Sequence, residues 1–354
     1  MILRPSSAHR WTRCPSSEHL LRSPNALPEA DTDAAREGTC AAWVAECVIN
    51  GDATHCDDLV GKTHENGWFV DQQMADHIQP YVKMLQSRDM CVAEVLINAN
   101  PITGTLDAKS TKGTTLYIDD LKYGYRIVEP TTPQLVCYMA GVLREGVANI
   151  THVQLGIYQP RAQHPEGIYR TITLTIAEAR EQANAIVAIA NDVVQGVGCA
   201  TPGPHCSNCL RAHDCTALAH SVYEMWDVVN ANGLLEPTGT DVANELALLT
   251  RLSDILSARK TAVEADAEER IKRNEFVPGW SMVERYGKRM FTLDRESIKT
   301  MTGFDPVEEK MVTPAALERM GADKDLVKAM TKTPMIGRKL KPVTDKTIAK
   351  LFER

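Results

Sequence analysis

No apolar run in the sequence is long enough to cross a membrane, and residues 1–22 lack the apolar middle of a secretion signal, being broken by Arg4, Pro5, His9, Arg10 and Arg13. These absences lead to the expectation of a cytoplasmic protein with no membrane partner. There is no excess of positive charge either. The formal net charge of −7 excludes a protein that coats nucleic acid by bulk attraction, although it leaves room for an acidic metal site beside a local basic track. Internal repeats and low-complexity segments are also missing. Cysteine, by contrast, is plentiful. In a reducing compartment the ten cysteines point to metal ligation or burial rather than disulfides. A chain of 354 residues with ordinary apolar and charged content makes two domains or one large one.

The strongest local signal is Gly104-Thr-Leu-Asp107 followed by Leu116-Tyr-Ile-Asp-Asp-Leu-Lys-Tyr-Gly124. Both segments are β-rich, and each carries an acid at its end. Asp120 and Lys122 are two residues apart and so share one face of a strand, with Leu121 pointing the other way. Paired carboxylates make a hard oxygen site suited to Mg²⁺ or Mn²⁺, and an adjacent ammonium can orient water and offset phosphate charge. Taken alone, an Asp-x-Lys is also the pattern of a solvated strand face. The turn at residues 109–113 makes the pair of strands an antiparallel hairpin, with the strands ending at Asp107 and Lys122. Glu94 lies in the preceding apolar run, as an active-site acid or an ion-pairing strand residue. Gln134 and Tyr138 stand four apart on one face of a helix opened by Pro130-Thr-Thr-Pro133.

This order of an acid, a D/E-x-K and a downstream Q-x-x-x-Y resembles the RecB-type branch of the PD-(D/E)XK nucleases, over roughly residues 1–225. The resemblance implies an α/β core with a mixed central sheet flanked by helices. It implies Asp107, Asp120 and the carbonyl of Leu121 as ligands of Mg²⁺ or Mn²⁺, and Lys122 as the group that positions or helps deprotonate water. Gln134 and Tyr138 would seat the DNA strand, and Arg161 would contact phosphate unless it is an ordinary surface arginine. In such nucleases a helix like residues 33–49 carries a metal-binding histidine. Here Ala42 stands at that position, so Glu46, one turn on, either supplies an oxygen or is a plain helix residue.

A second signal is Cys206-Ser-Asn-Cys209 with Cys215 after a turn, behind the corner Pro202-Gly-Pro. Three thiolates leave one ligand missing, and Cys14, held at Cys14-Pro15, is placed to reach a distant partner. The set resembles the four-cysteine iron–sulfur staple of AddB-like and CRISPR-associated RecB-like nucleases. It implies a [4Fe–4S] cluster, with structural Zn²⁺ as the competing reading. In residues 52–70, His55, Cys56 and His64 have no convincing ligand spacing.

Beyond about residue 221 the character changes to a charged helix over residues 241–273, a short strand pair within 276–291, small capped helices such as one at Thr313-Pro314, and a basic tail from Ile336. The expected division is therefore 1–225 and 226–354, the second part mostly helical. The whole chain resembles a bacteriophage family of RecB-like proteins. That resemblance implies a metal-dependent DNA exonuclease of phage replication or recombination, with DNA and a phage single-strand-binding or annealing protein as partners. A catalytically impaired DNA-binding subunit is the alternative that Ala42 raises.

Overall fold

The computed structural model describes residues 1–29, 31–231, 239–286, 290–291, 295–304, 314, 317, 322–332 and 335–342. Its centre is a five-stranded mixed sheet in the order β1-β2-β3-β4-β5. The strands are β1 (Asp89–Ala99), β2 (Ile102–Lys112), β3 (Thr115–Leu121), β4 (His152–Tyr158) and β5 (Tyr169–Thr175). All neighbours are antiparallel except β3 and β4. That parallel step needs a crossover, supplied by α5 (Pro133–Glu145). The mixed α/β fold expected from the sequence is the one observed.

Two short helices, α1 (Ala8–Trp11) and α2 (Ser17–Leu20), form the amino-terminal corner, and two apolar layers sandwich the sheet. Leu106, Leu116, Ile118, Val153 and Leu155 pack with Leu135, Met139 and Val142 of α5 and with Ala183, Ile186 and Val193 of α6 (Ile176–Gln195). On the other side Ala108, Leu121 and Tyr158 meet Val44 and Val48 of α3 (Asp33–Ile49) and Ile78, Val82 and Leu85 of α4 (Gln72–Gln86). The helices start where capping chemistry allows. Thr32 accepts from the N–H of Ala35, Asp71 from that of Met74, and Thr175 forms a reciprocal capping box with Glu178. Pro133 opens α5, where its missing N–H has no partner to lose.

The hairpin of β2 and β3 differs from expectation. Asp107 lies in mid-strand rather than at a strand end, because pairing continues to Lys112↔Thr115 around a tight turn that holds Gly113 at φ 60°. Strand β5 had no clear signal in the sequence. By compactness the chain divides into residues 1–262 and 263–354, well beyond the expected 225. The reason is that Ile255, Ala258 and Ala262 of α8 (Gly239–Lys272) pack on Cys206, Ala212 and Leu218. Helix α7 (Thr216–Ala231) precedes it.

In the second unit the expected strand pair over 276–291 does not form. Trp280–Tyr286 pairs instead with Met335–Pro342, and Met290–Phe291 with Thr331–Lys332. The start of the basic tail is thus a strand. The remainder of that tail from residue 343, and the helix start at Thr313, lie outside the described residues. Short helices Arg295–Thr302 and Lys324–Ala329 complete this unit, with Ile298, Leu317 and Val327 in its core. No helix among the described residues is long and apolar enough to cross a membrane.

Candidate active site

Register brings the two acids together. Pairing of β2 with β3 runs to Ala108↔Asp119, and the next residue of β2, Asp107, accepts the N–H of Leu121 beside Asp120 and feels the charge of Asp120. Even-numbered residues of β3 face α5, so Asp120 and Lys122 fall on that side. The Lys122 ammonium lies 2.7 Å from Asp120 Oδ2 and donates to Oδ1 at 3.0 Å. Gln134 Nε2 donates to the same Oδ1 at 3.2 Å and to the Tyr138 hydroxyl at 2.9 Å. Asp107 Oδ2 accepts the Leu121 N–H at 2.7 Å. Leu121 therefore enters the observed site through its N–H. Tyr138 is buried and Gln134 half-buried; Gln134 braces Asp120 directly, and Tyr138 holds Gln134.

The electrostatics of the pair are strained. Burial, and then the charge of Asp120, raise the Asp107 carboxyl well above the usual carboxylate range, against Lys122 and the Leu121 N–H. Burial works against the Lys122 ammonium as well, yet Asp120 and Asp107 outweigh it and its pKa is raised. The lysine is thus a firmly held cation, suited to donating hydrogen bonds and charge rather than taking a proton. Asp120 Oδ2 is buried and receives no well-directed hydrogen bond. A divalent cation suits these residues, because it would neutralise two carboxylates forced together.

A second group of acids lines a cavity that includes neither Asp107 nor Asp120, and it is linked to the pair through Glu94, whose charge Asp107 feels. Glu94 is opposite Asp107 in the β1–β2 register, between Ala93↔Ala108 and Val95↔Leu106, and its backbone takes φ 49°. Its carboxyl is raised by burial and then by Glu46. Glu94 and Glu46 line a cavity of ≈ 450 Å³ together with Thr39, Ala42, Trp43, Thr63, His64 and Glu65. Ala42, where an imidazole was expected, opens onto this cavity. Arg161 is placed otherwise: it pairs with Glu37 at 2.7 Å and lies over the rings of Tyr123 and Tyr125.

Beneath the pair lies a network that sequence reasoning missed. Asp119, on the opposite face of β3 from Asp120, is buried and paired with the buried guanidinium of Arg88. Tyr169 donates to Asp119 Oδ1 at 2.7 Å and accepts from Arg88 at 2.9 Å, while Arg88 also covers the Tyr117 ring. Gly156 makes this possible, since a Cβ there would press into Asp119 and the Tyr169 hydroxyl.

The four expected cysteines converge. Cys14, Cys206, Cys209 and Cys215 line one cavity of ≈ 20 Å³ with Arg10, Ser17 and His205. The amino-terminal corner is bound to this loop by Arg10 to the Asn208 carbonyl at 3.2 Å, Arg211 to the Leu20 carbonyl at 3.2 Å and Thr201 N–H to Cys14 Sγ at 3.4 Å. Burial raises the Cys206 thiol to about 11 and lifts those of Cys14 and Cys209, with neighbouring thiols adding to each shift. Such thiols suit a cation that stabilises thiolate. Among the described residues no three His, Cys, Asp or Glu side chains stand closely enough around one point to hold an ion as they are.

A family model described as "Protein of unknown function (DUF2800)" matches residues 1–348. The chain belongs to the DUF2800 family. Among solved structures, this DUF2800 chain is similar to SSO0001 at 14% identity and TM-score 0.28, covering 61% of this chain and 86% of that one. It is also similar to an alkaline exonuclease, LHK-Exo, from Laribacter hongkongensis, at 11% identity and TM-score 0.20, covering 53% and 94%. At these values neither likeness bears on the chemistry of the site.

Proposed function

We propose that this DUF2800 chain is a metal-dependent deoxyribonuclease, acting as an exonuclease in phage DNA replication or recombination. The observation that carries this reading is the closeness of two carboxylates, Asp107 and Asp120, with Lys122 and Gln134 both holding Asp120. Asp107 and Asp120 would hold Mg²⁺ or Mn²⁺, with Glu94, Glu46 and the Leu121 carbonyl nearby as further oxygens. A bound divalent cation would supply Lewis acidity and lower the pKa of water. Lys122, kept as an ammonium, orients the attacking water and offsets phosphate charge. Glu94, whose proton affinity is raised, suits the proton-accepting role. Gln134 fixes the Asp120 carboxylate, Tyr138 holds Gln134, and both would border the scissile strand. In this reading the four thiols hold a structural centre, a [4Fe–4S] cluster by resemblance, and metal analysis of anaerobically purified protein separates it from Zn²⁺.

The test is cleavage of end-labelled single- and double-stranded DNA with Mg²⁺ or Mn²⁺, by the wild type, Asp120→Ala and Ala42→His. Cleavage that disappears in Asp120→Ala supports the nuclease. A second reading, a DNA-binding subunit that has lost its chemistry, is favoured by Ala42 alone. It predicts DNA binding without cleavage, and activity gained in Ala42→His.

A further inference from the structure

The hairpin-like segment 62–70 was unassigned by the sequence, yet it is fastened to α3 beside the acids. Asn66 donates to the Arg36 carbonyl at 2.8 Å, Cys40 Sγ lies 3.9 Å from the Trp68 carbonyl, and Thr63 bridges Phe69. These contacts bring the half-buried His64 ring against Trp43, with centroids 5.4 Å apart. The ring lines the same ≈ 450 Å³ cavity as Ala42, Glu46 and Glu94. The imidazole that α3 lacks at Ala42 is thus available from a different segment.

What this ring can do is decided by its other nitrogen. Nδ1 lies 3.2 Å from the backbone N of Asn66. A backbone N–H can only donate, so Nδ1 accepts and the neutral ring carries its proton on Nε2. In that tautomer Nε2 is a donor and has no lone pair for a cation. The cavity itself needs donors. Three of its lining residues, Glu46, Glu65 and Glu94, are carboxylates, and a phosphodiester entering beside them meets repulsion unless cations and N–H or O–H groups face it.

We propose that His64 is a substrate-contacting residue whose Nε2–H donates to a non-bridging phosphate oxygen of the DNA strand in this cavity, rather than a replacement metal ligand. The proposal rests on the nuclease reading for its cleavage readout and has a second readout that does not. Two variants divide the ring. His64→Asn keeps an acceptor where Nδ1 stands and holds the hairpin, but loses the outer donor. His64→Gln keeps an amide N–H near the Nε2 position.

Cleavage kinetics are measured on a labelled single-stranded oligonucleotide across a Mn²⁺ titration, and binding of the same oligonucleotide in Ca²⁺ by fluorescence anisotropy. The expected result is kcat/KM lowered about 10- to 100-fold in His64→Asn, at least partly retained in His64→Gln, with the Mn²⁺ midpoint moving less than about twofold. Cleavage by His64→Asn equal to wild type overturns the proposal. So does a Mn²⁺ midpoint shifted about tenfold or more, which would make the ring a ligand. If the wild type does not cleave, the nuclease reading fails by itself. The anisotropy then decides: weaker binding by His64→Asn with His64→Gln closer to wild type supports the phosphate contact, and equal binding by all three overturns it.

Discussion

Removing Arg88 should destabilise the protein sharply although Arg88 touches neither Asp107 nor Asp120. Its side chain is 6% exposed and that of Asp119 1%, so Arg88→Met strands a carboxylate with Tyr169 as its chief remaining partner. Breaking a buried pair in this way costs about 3–5 kcal/mol. For a unit of this size that lowers Tm by about 10 °C, at about 2–4 °C per kcal/mol. Asp119→Asn added to Arg88→Met removes the stranded charge, so the double variant should recover about 2 kcal/mol or more relative to the sum of the singles. Urea and thermal unfolding of the four proteins, followed by circular dichroism, give the cycle. The pH dependence has a definite sign. Burial holds the Asp119 carboxyl above its usual range even in the wild type, with Arg88 opposing, and loss of Arg88 raises it further. A carboxyl with a folded-state pKa above its unfolded value binds a proton on folding. The deficit of Arg88→Met should therefore shrink as pH falls from neutrality towards the unfolded-state carboxylate value of about 4. A single-variant loss under about 1 kcal/mol, or additivity within about 0.5 kcal/mol, would refute the idea that this pair supports β3.

Three further outcomes follow from the geometry. Because burial and Asp120 keep the Asp107 carboxyl protonated beyond its usual range, Mn²⁺ must displace a proton, so affinity should rise with pH through neutrality and calorimetry in buffers of different ionisation heat should detect proton release. Asp120→Asn should reduce that release without abolishing it, because burial, the larger cause, remains. Gly156→Ala should lower stability by about 1–3 kcal/mol in urea unfolding, since the added methyl presses on Asp119 and Tyr169. Replacing Cys14 by Ser should lower the bound iron or zinc found by elemental analysis as much as replacing Cys206, despite their distance in sequence, whereas Cys137→Ser, in the apolar core, should leave the metal content unchanged.

The elements that were legible in the sequence are those whose signals are local. Helix α3 follows its apolar spacing, and α5 begins at its proline. The Asp120–Lys122 face follows from strand alternation, and the approach of Asp107 from a short turn. Pairings between remote segments left no such trace. Trp280–Tyr286 was read with its neighbour in sequence but pairs with Met335–Pro342. Arg88 sits at the α4–β1 junction with nothing nearby to announce Asp119 as its partner. His64 was passed over for the same reason: ligand spacing is a test of neighbours, and its neighbours in the cavity come from α3 and β1. Arg161 read as a free basic group, whereas the fold pairs it with Glu37.

The amino-terminal segment finds its places at two different times in the life of the chain. Leu3 bridges Ile102, a partner available once β2 has been synthesised. The corner around Cys14, however, completes its contacts with Thr201, Val193, Asn208 and Leu210, which leave the ribosome long after it. Closing so long a loop is entropically slow. The Cys14 corner is therefore synthesised well before the residues that fix it, and a nascent chain stopped before residue 193 leaves it without any of these contacts.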